Sequence, residues 1–217
     1  MRVFIIESPN PKDLLDSRSE REPLEYICNA MGHNVYSFLV KSARELGDTC
    51  KYISSFYEGS DDDPEEPLCI HLSCHGSNTG LQFGTDRLNW KKVAEHLEPI
   101  LKMNYQNDLF LVISACGTDK QRITTEIQKL SKVDNKIKPP KYVIVFDQNE
   151  VSWDDAILTW TILYHQIDKI DHNNNGNVKG LLDRIKGSRF GNLTYRRWSK
   201  KNKIFLKYAP DDPVKEE

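Results

Sequence analysis

An alternation in the sequence limits the possible folds of this chain more than any other feature. Five short runs are apolar almost without a break: "RVFIIES" (residues 2–8), "HNVYSFLV" (33–40), "PLCIHLSC" (67–74), "DLFLVISA" (108–115) and "KYVIVFD" (141–147). Between them lie segments whose apolar residues recur at helical spacing. Leu24, Ile27, Cys28 and Met31 form such a stripe within residues 17–31, and a second helix is expected over 42–57. Val93, Leu97, Ile100 and Leu101 form a stripe in "NWKKVAEHLEPILKM", and Ala156, Ile157, Trp160, Leu163, Tyr164 and Ile167 in "SWDDAILTWTILYHQI". A strand without polar alternation is covered on both faces, and strands that take turns with helices form a parallel sheet. The pattern predicts an α/β fold of three layers: a mostly parallel sheet with helices on both faces.

Smaller features complete the reading. "GLQFGTDRL" predicts a hairpin, and "TDKQRITTEIQKL" a helix with Thr118 and Gln121 spaced as a capping box. "DHNNNGN" reads as a loop or helix terminator, followed by a short helix near Val178–Lys186. "LTYRRW" and "KIFLKY" flank "SKKN" as a final β-hairpin. With 217 residues and neither a repeat nor an interdomain linker, one domain over 1–217 is expected. It carries an acidic loop at 58–67 and a basic C-terminal extension at about 176–217.

Composition narrows the function classes. Net charge is −2, which does not describe a molecule built to bind nucleic acid, so nucleic acid is expected only indirectly, if at all. The apolar start breaks at Glu7 and Pro9, too early for a signal peptide, and no window spans a bilayer. Five cysteines without regular spacing give no disulfide framework, so a soluble protein in the reducing cytoplasm is expected.

Two strands stop in small polar residues next to reactive side chains. "LCIHLSCHGSNTG" ends in His75-Gly76, and "FLVISACGTDK" in Cys116-Gly117. Sites in open parallel sheets form at the carboxyl ends of strands. Neighbouring strands lie about 4.8 Å apart, so His75 and Cys116 at equivalent ends come within or close to hydrogen-bonding reach. A helix expected to begin near Asp119 would favour the thiolate through its N-terminal partial charge. The imidazole can pair with that thiolate and then protonate a leaving amine. Gly76 and Gly117 leave room for a substrate backbone. The N–H groups of Gly76 and Cys116 could hold an oxyanion, a donor of that kind contributing about 3 kcal/mol.

"HLSCHG", a glycine-containing hairpin, "ISACGT" after the intervening helix, and then "VIVFDQNEVSWDDAILTWTILYHQI" resemble the caspase-like cysteine peptidases, especially their CHAT-domain branch. The likeness covers about Pro67–Ile170. It implies a caspase-like fold and cysteine endopeptidase activity on a protein substrate. His75 and Cys116 match the catalytic dyad, and Gly76 the oxyanion contributor. It also implies activation by a partner or ligand, and bacterial members often act as defence effectors. The acidic loop before the third strand and the C-terminal hairpin depart from the family pattern.

Other residues carry open alternatives. Ser114 shares the strand face of Cys116, and Asp119 and Asp147 lie near the same edge. A carboxylate in the first pocket would favour a basic residue before the cut, but Asp119 can equally complement the helix dipole and Asp147 start a turn. Ser17, Arg18, Glu20 and Arg21 either line the site from the loop after the first strand or form a helix start with surface ion pairs. His71, Cys74 and His75 suggest zinc only on a helix. On a strand the two histidines stand about 13 Å apart and Cys74 faces the other way, so no metal and no cofactor is expected. The basic run from Arg184 to Lys207 is either a solvated hairpin or a docking face for an acidic partner. A catalytically silent docking module and a nucleotide-binding α/β domain are the competing readings. The second lacks a glycine-rich phosphate loop after the first strand.

Overall fold

A computed structural model describes residues 1–57, 66–118, 120 and 122–208. The chain forms β1 (Arg2–Ser8), α1 (Pro11–Leu15), α2 (Arg21–Ala30), β2 (Asn34–Leu39), α3 (Ala43–Ser55) and β3 (Leu68–Ser77). Next come β4 (Gly80–Phe83), β5 (Asp86–Asn89), α4 (Trp90–Lys102), β6 (Leu109–Ser114), α5 (Arg122–Val133) and β7 (Tyr142–Phe146). It ends with α6 (Trp153–Ile167), α7 (Asn175–Ser188), β8 (Leu193–Ser199) and β9 (Ile204–Tyr208). The sheet order is β2-β1-β3-β6-β7-β8-β9, with the β4–β5 hairpin attached to the extended end of β3. From β2 to β7 every pairing is parallel, and β8 and β9 join antiparallel.

The apolar runs behave as a doubly covered sheet requires. β6 and β7 are buried at every residue, whereas edge strand β2 is not. Leu68, Ile70, Leu72 and Cys74 face α3, α4 and α5, where Leu46, Ile53, Val93, Leu97, Ile123 and Ile127 complete one core. Cys69, Phe110, Val112 and Ile144 face α2, α6 and α7, where Leu24, Trp160, Tyr164, Leu181 and Ile185 complete the other. Each such side chain contributes about 1.5–3 kcal/mol on burial. The three-layer α/β arrangement and the C-terminal β-hairpin are those expected from the sequence.

Several local expectations change. The segment 17–31 is helical only over Arg21–Ala30, and the five-residue α1 precedes it, started by Asn10 in a capping box with Asp13. The helix expected near Asp119 is described from Arg122 on. Thr118 Oγ1 donates to the Ala115 carbonyl at 3.0 Å, and Asp119 and Gln121, the latter the other half of the expected capping box, lie outside the described residues. "DHNNNGN" carries the start of α7, with Asn174 as its cap. The basic hairpin is part of the sheet, since β8 pairs along β7 with Leu193 and Tyr195 fully buried. Of the acidic loop, residues 58–65 lie outside the described residues. No helix among the described residues is long and apolar enough to cross a membrane.

Candidate active site

β3 and β6 are neighbours, paired in register up to Ser73 opposite Ser114. Continued by two residues, that register sets His75 opposite Cys116. The two backbones do meet there: a Cβ on Gly76 would lie 2.7 Å from the Cys116 carbonyl oxygen and 2.8 Å from Ala115 Cβ. Only glycine fits at this crossing. Gly76→Ala is expected to cost about 1–3 kcal/mol of stability by overpacking and to displace the Cys116 loop. Thermal unfolding together with the alkylation rate of Cys116 measures both effects. Gly117, at φ +67°, makes the turn that follows Cys116 and donates its N–H to the Asn149 carbonyl at 3.2 Å. The Cys116 N–H carries no hydrogen bond among the described residues.

His75 has a partner that the sequence reading missed. Its Nε2 lies 2.6 Å from Asp13 Oδ2, and Asp13 is buried while the imidazole is partly exposed. A carboxylate only accepts, so Nε2 carries the proton and Nδ1 keeps its lone pair. Asn10 fastens this contact. Its backbone N–H donates to Asp13 Oδ2 and its Oδ1 accepts from the Lys12 and Asp13 N–H groups; its amide nitrogen, itself a donor, lies 2.9 Å from His75 Nε2 and makes no hydrogen bond to it in this tautomer. The Trp153 ring stands edge-on to the imidazole, with centroids 6.2 Å apart.

A narrow cavity of about 60 Å³ connects these groups, lined by His75, Cys116, Val151, Trp153, Ser114 and Glu20 among others. Ser114 thus belongs to the site. Asp147 lines neither this cavity nor its neighbour, and its N–H donates to the Asn192 carbonyl at 2.8 Å, where β8 begins. Glu20 is fully buried rather than part of a surface ion pair. Its carboxylate accepts from Ser114 Oγ at 2.9 Å and Ser73 Oγ at 2.5 Å, and Trp160 Nε1 donates to Ser114 Oγ at 2.8 Å. Glu20 is held in place by Glu7, whose carboxylate accepts from the N–H groups of Glu20 and Arg21. Burial pushes the Glu7 carboxyl above its usual range, against those hydrogen bonds. His71 is interior, with Nδ1 2.6 Å from the Tyr164 hydroxyl and Nε2 3.5 Å from Glu20.

A second cavity of about 430 Å³ opens on the other side of His75, against the β4–β5 hairpin and Gln82, Arg87 and Asn89. A larger cavity, about 730 Å³, is lined by Tyr105–Leu109, Lys138, Lys141 and Lys200 among others. It lies at the opposite end of the strands from Cys116. There Lys141 is already bound to Asp108 (2.6 Å) and Asn173 (2.5 Å).

The cysteines differ sharply in access. Cys28, Cys50, Cys69 and Cys74 are buried and Cys116 is not. Burial pushes the thiols of Cys28, Cys50 and Cys69 up to about 12, and that of Cys74 up as well. Iodoacetamide at pH 7 is expected to modify Cys116 alone, which peptide mapping after a short exposure checks.

No family model matches the chain, and no curated protein matches it.

Proposed function

We propose that the protein is a cysteine endopeptidase in which Cys116 is the nucleophile and His75 the acid–base group. The observation that carries this reading is the His75–Asp13 contact beside the crossing of Gly76 and Cys116. A buried carboxylate fixes the tautomer that leaves Nδ1 free for a thiol, which a histidine serving only as packing does not need.

In the proposed cycle His75 Nδ1 takes the Cys116 proton, and the sulfur attacks the carbonyl carbon of a peptide bond. The oxyanion forms against the N–H groups of Cys116 and Gly76. His75 returns the proton to the amine as the C–N bond breaks. Water then hydrolyses the thioester, deprotonated by the same imidazole, and frees the thiol. Asp13 keeps the imidazole oriented and stabilises its charged form. The substrate is a protein, and the narrowness of the cavity beside Trp153 favours a resting enzyme that a protein partner opens.

The same narrowness favours a second reading, a silent module of this fold used for docking. Alkylation of Cys116 against pH separates the two. An activated thiolate reacts rapidly below pH 7, whereas a thiol reacting only above pH 8, at the rate of free cysteine, would sink the peptidase reading.

A further inference from the structure

We infer that Glu20 is the specificity residue and that the cut follows a basic residue; this rests on the peptidase reading above. The direction of the substrate follows from which reacting group each cavity contains. The cavity with Cys116 takes the residue whose carbonyl is attacked, while the one that shares only His75 takes the departing amine side. The first cavity has Glu20 in its lining.

That carboxylate is 1 % exposed, and no cation hydrogen-bonds to it among the described residues. The nearest basic group, His71 Nε2, is 3.5 Å away and makes no hydrogen bond. Arg21 is turned to Glu7, Glu22 and Glu25 instead. Two serine donors occupy only part of a carboxylate's acceptor capacity, which is about four lone-pair sites. Glu7 stands behind it as a second buried carboxylate. A buried negative charge of this kind is stabilised by an incoming cation through a charge-assisted hydrogen bond. The remaining lining includes Val151, Trp153, Ala115 and Ala156, apolar surface suited to a methylene stem. An aspartate there would meet like charge.

The test uses peptidyl acyloxymethyl ketones that differ only in their last residue: lysine, norleucine or aspartate. Labelling of Cys116 in the full chain is followed by mass spectrometry and normalised to iodoacetamide. Lysine is expected to label at least about tenfold faster than norleucine, its uncharged counterpart, and aspartate slowest. In Glu20→Gln the lysine advantage, normalised to that variant's own iodoacetamide rate, should fall to about unity. Equal labelling by lysine and norleucine, or an advantage that survives Glu20→Gln, overturns the assignment and leaves the peptidase reading intact. Labelling by iodoacetamide but by none of the ketones overturns the assignment as well, and the pH profile of Cys116 alkylation then decides the peptidase reading by itself.

Discussion

Cys116→Ala and His75→Ala are each expected to lower cleavage of a cognate substrate by about 10⁵- to 10⁶-fold, and the double variant by no more than either alone. The reason is that the sulfur and the imidazole act as one unit. Without Nδ1 to accept its proton the thiol is a poor nucleophile, and without the sulfur the imidazole has nothing to activate. Release of the new amino terminus, quantified by mass spectrometry in matched incubations, measures the loss. Neither change removes a core side chain, since Cys116 and His75 are both partly exposed. Thermal unfolding of Cys116→Ala should therefore stay close to the parent, whereas His75→Ala leaves the buried Asp13 without its imidazole and should unfold at a lower temperature. Cleavage within tenfold of the parent in either variant would take that residue out of the chemistry.

Asp13→Asn is expected to lower kcat by about 10²- to 10⁴-fold with little change in KM. The asparagine amide can donate to Nε2, which stabilises the opposite tautomer and places the ring proton on the nitrogen meant for sulfur. The imidazolium formed during turnover also loses its counter-charge. His75 Nε2 and the Asn10 N–H meet the same carboxylate oxygen, so an amide that donates to Nε2 gives up the Asn10 N–H, while the Asn10 side chain still accepts from the Lys12 and Asp13 N–H groups and starts α1. Asp13→Glu should recover part of the activity by restoring an acceptor. Steady-state kinetics on one peptide substrate distinguish this role from a structural one. A structural defect would change KM and unfolding together, and a loss in kcat below tenfold would mean that His75 needs no third group.

The strands, and the placement of His75 and Cys116 at one edge of the sheet, were legible because both follow from short-range rules. An apolar run without alternation has to be covered on both faces, and two such runs ending in His75-Gly76 and Cys116-Gly117 meet only if their strands are neighbours, as the Ser73–Ser114 register has them. Asp13 was not legible. It lies in "SPNPKDLLDS", whose prolines and small polar residues read as a loop, and α1 is too short to show periodicity. Glu20 was visible but ambiguous, because "SRSERE" has the composition of a solvated helix start. What buries it is contact with Ser73 and Ser114, 53 and 94 residues away in the chain. The helix expected from near Asp119 is described from Arg122 on, and Asp119 and Gln121 at its start lie outside the described residues.

The groups assigned to the chemistry follow three strands that lie side by side: Asp13 after β1, His75 at the end of β3 and Cys116 after β6. β2 borders this trio on one flank, and β7, β8 and β9 extend away from it on the other. Remodelling at the flanks, such as lengthening the β8–β9 turn, alters the outline of the molecule without moving the reacting atoms. Changes to the chain between β3 and β6 offer no such freedom, since that stretch links two of those atoms. The periphery is thus open to variation while the centre is not.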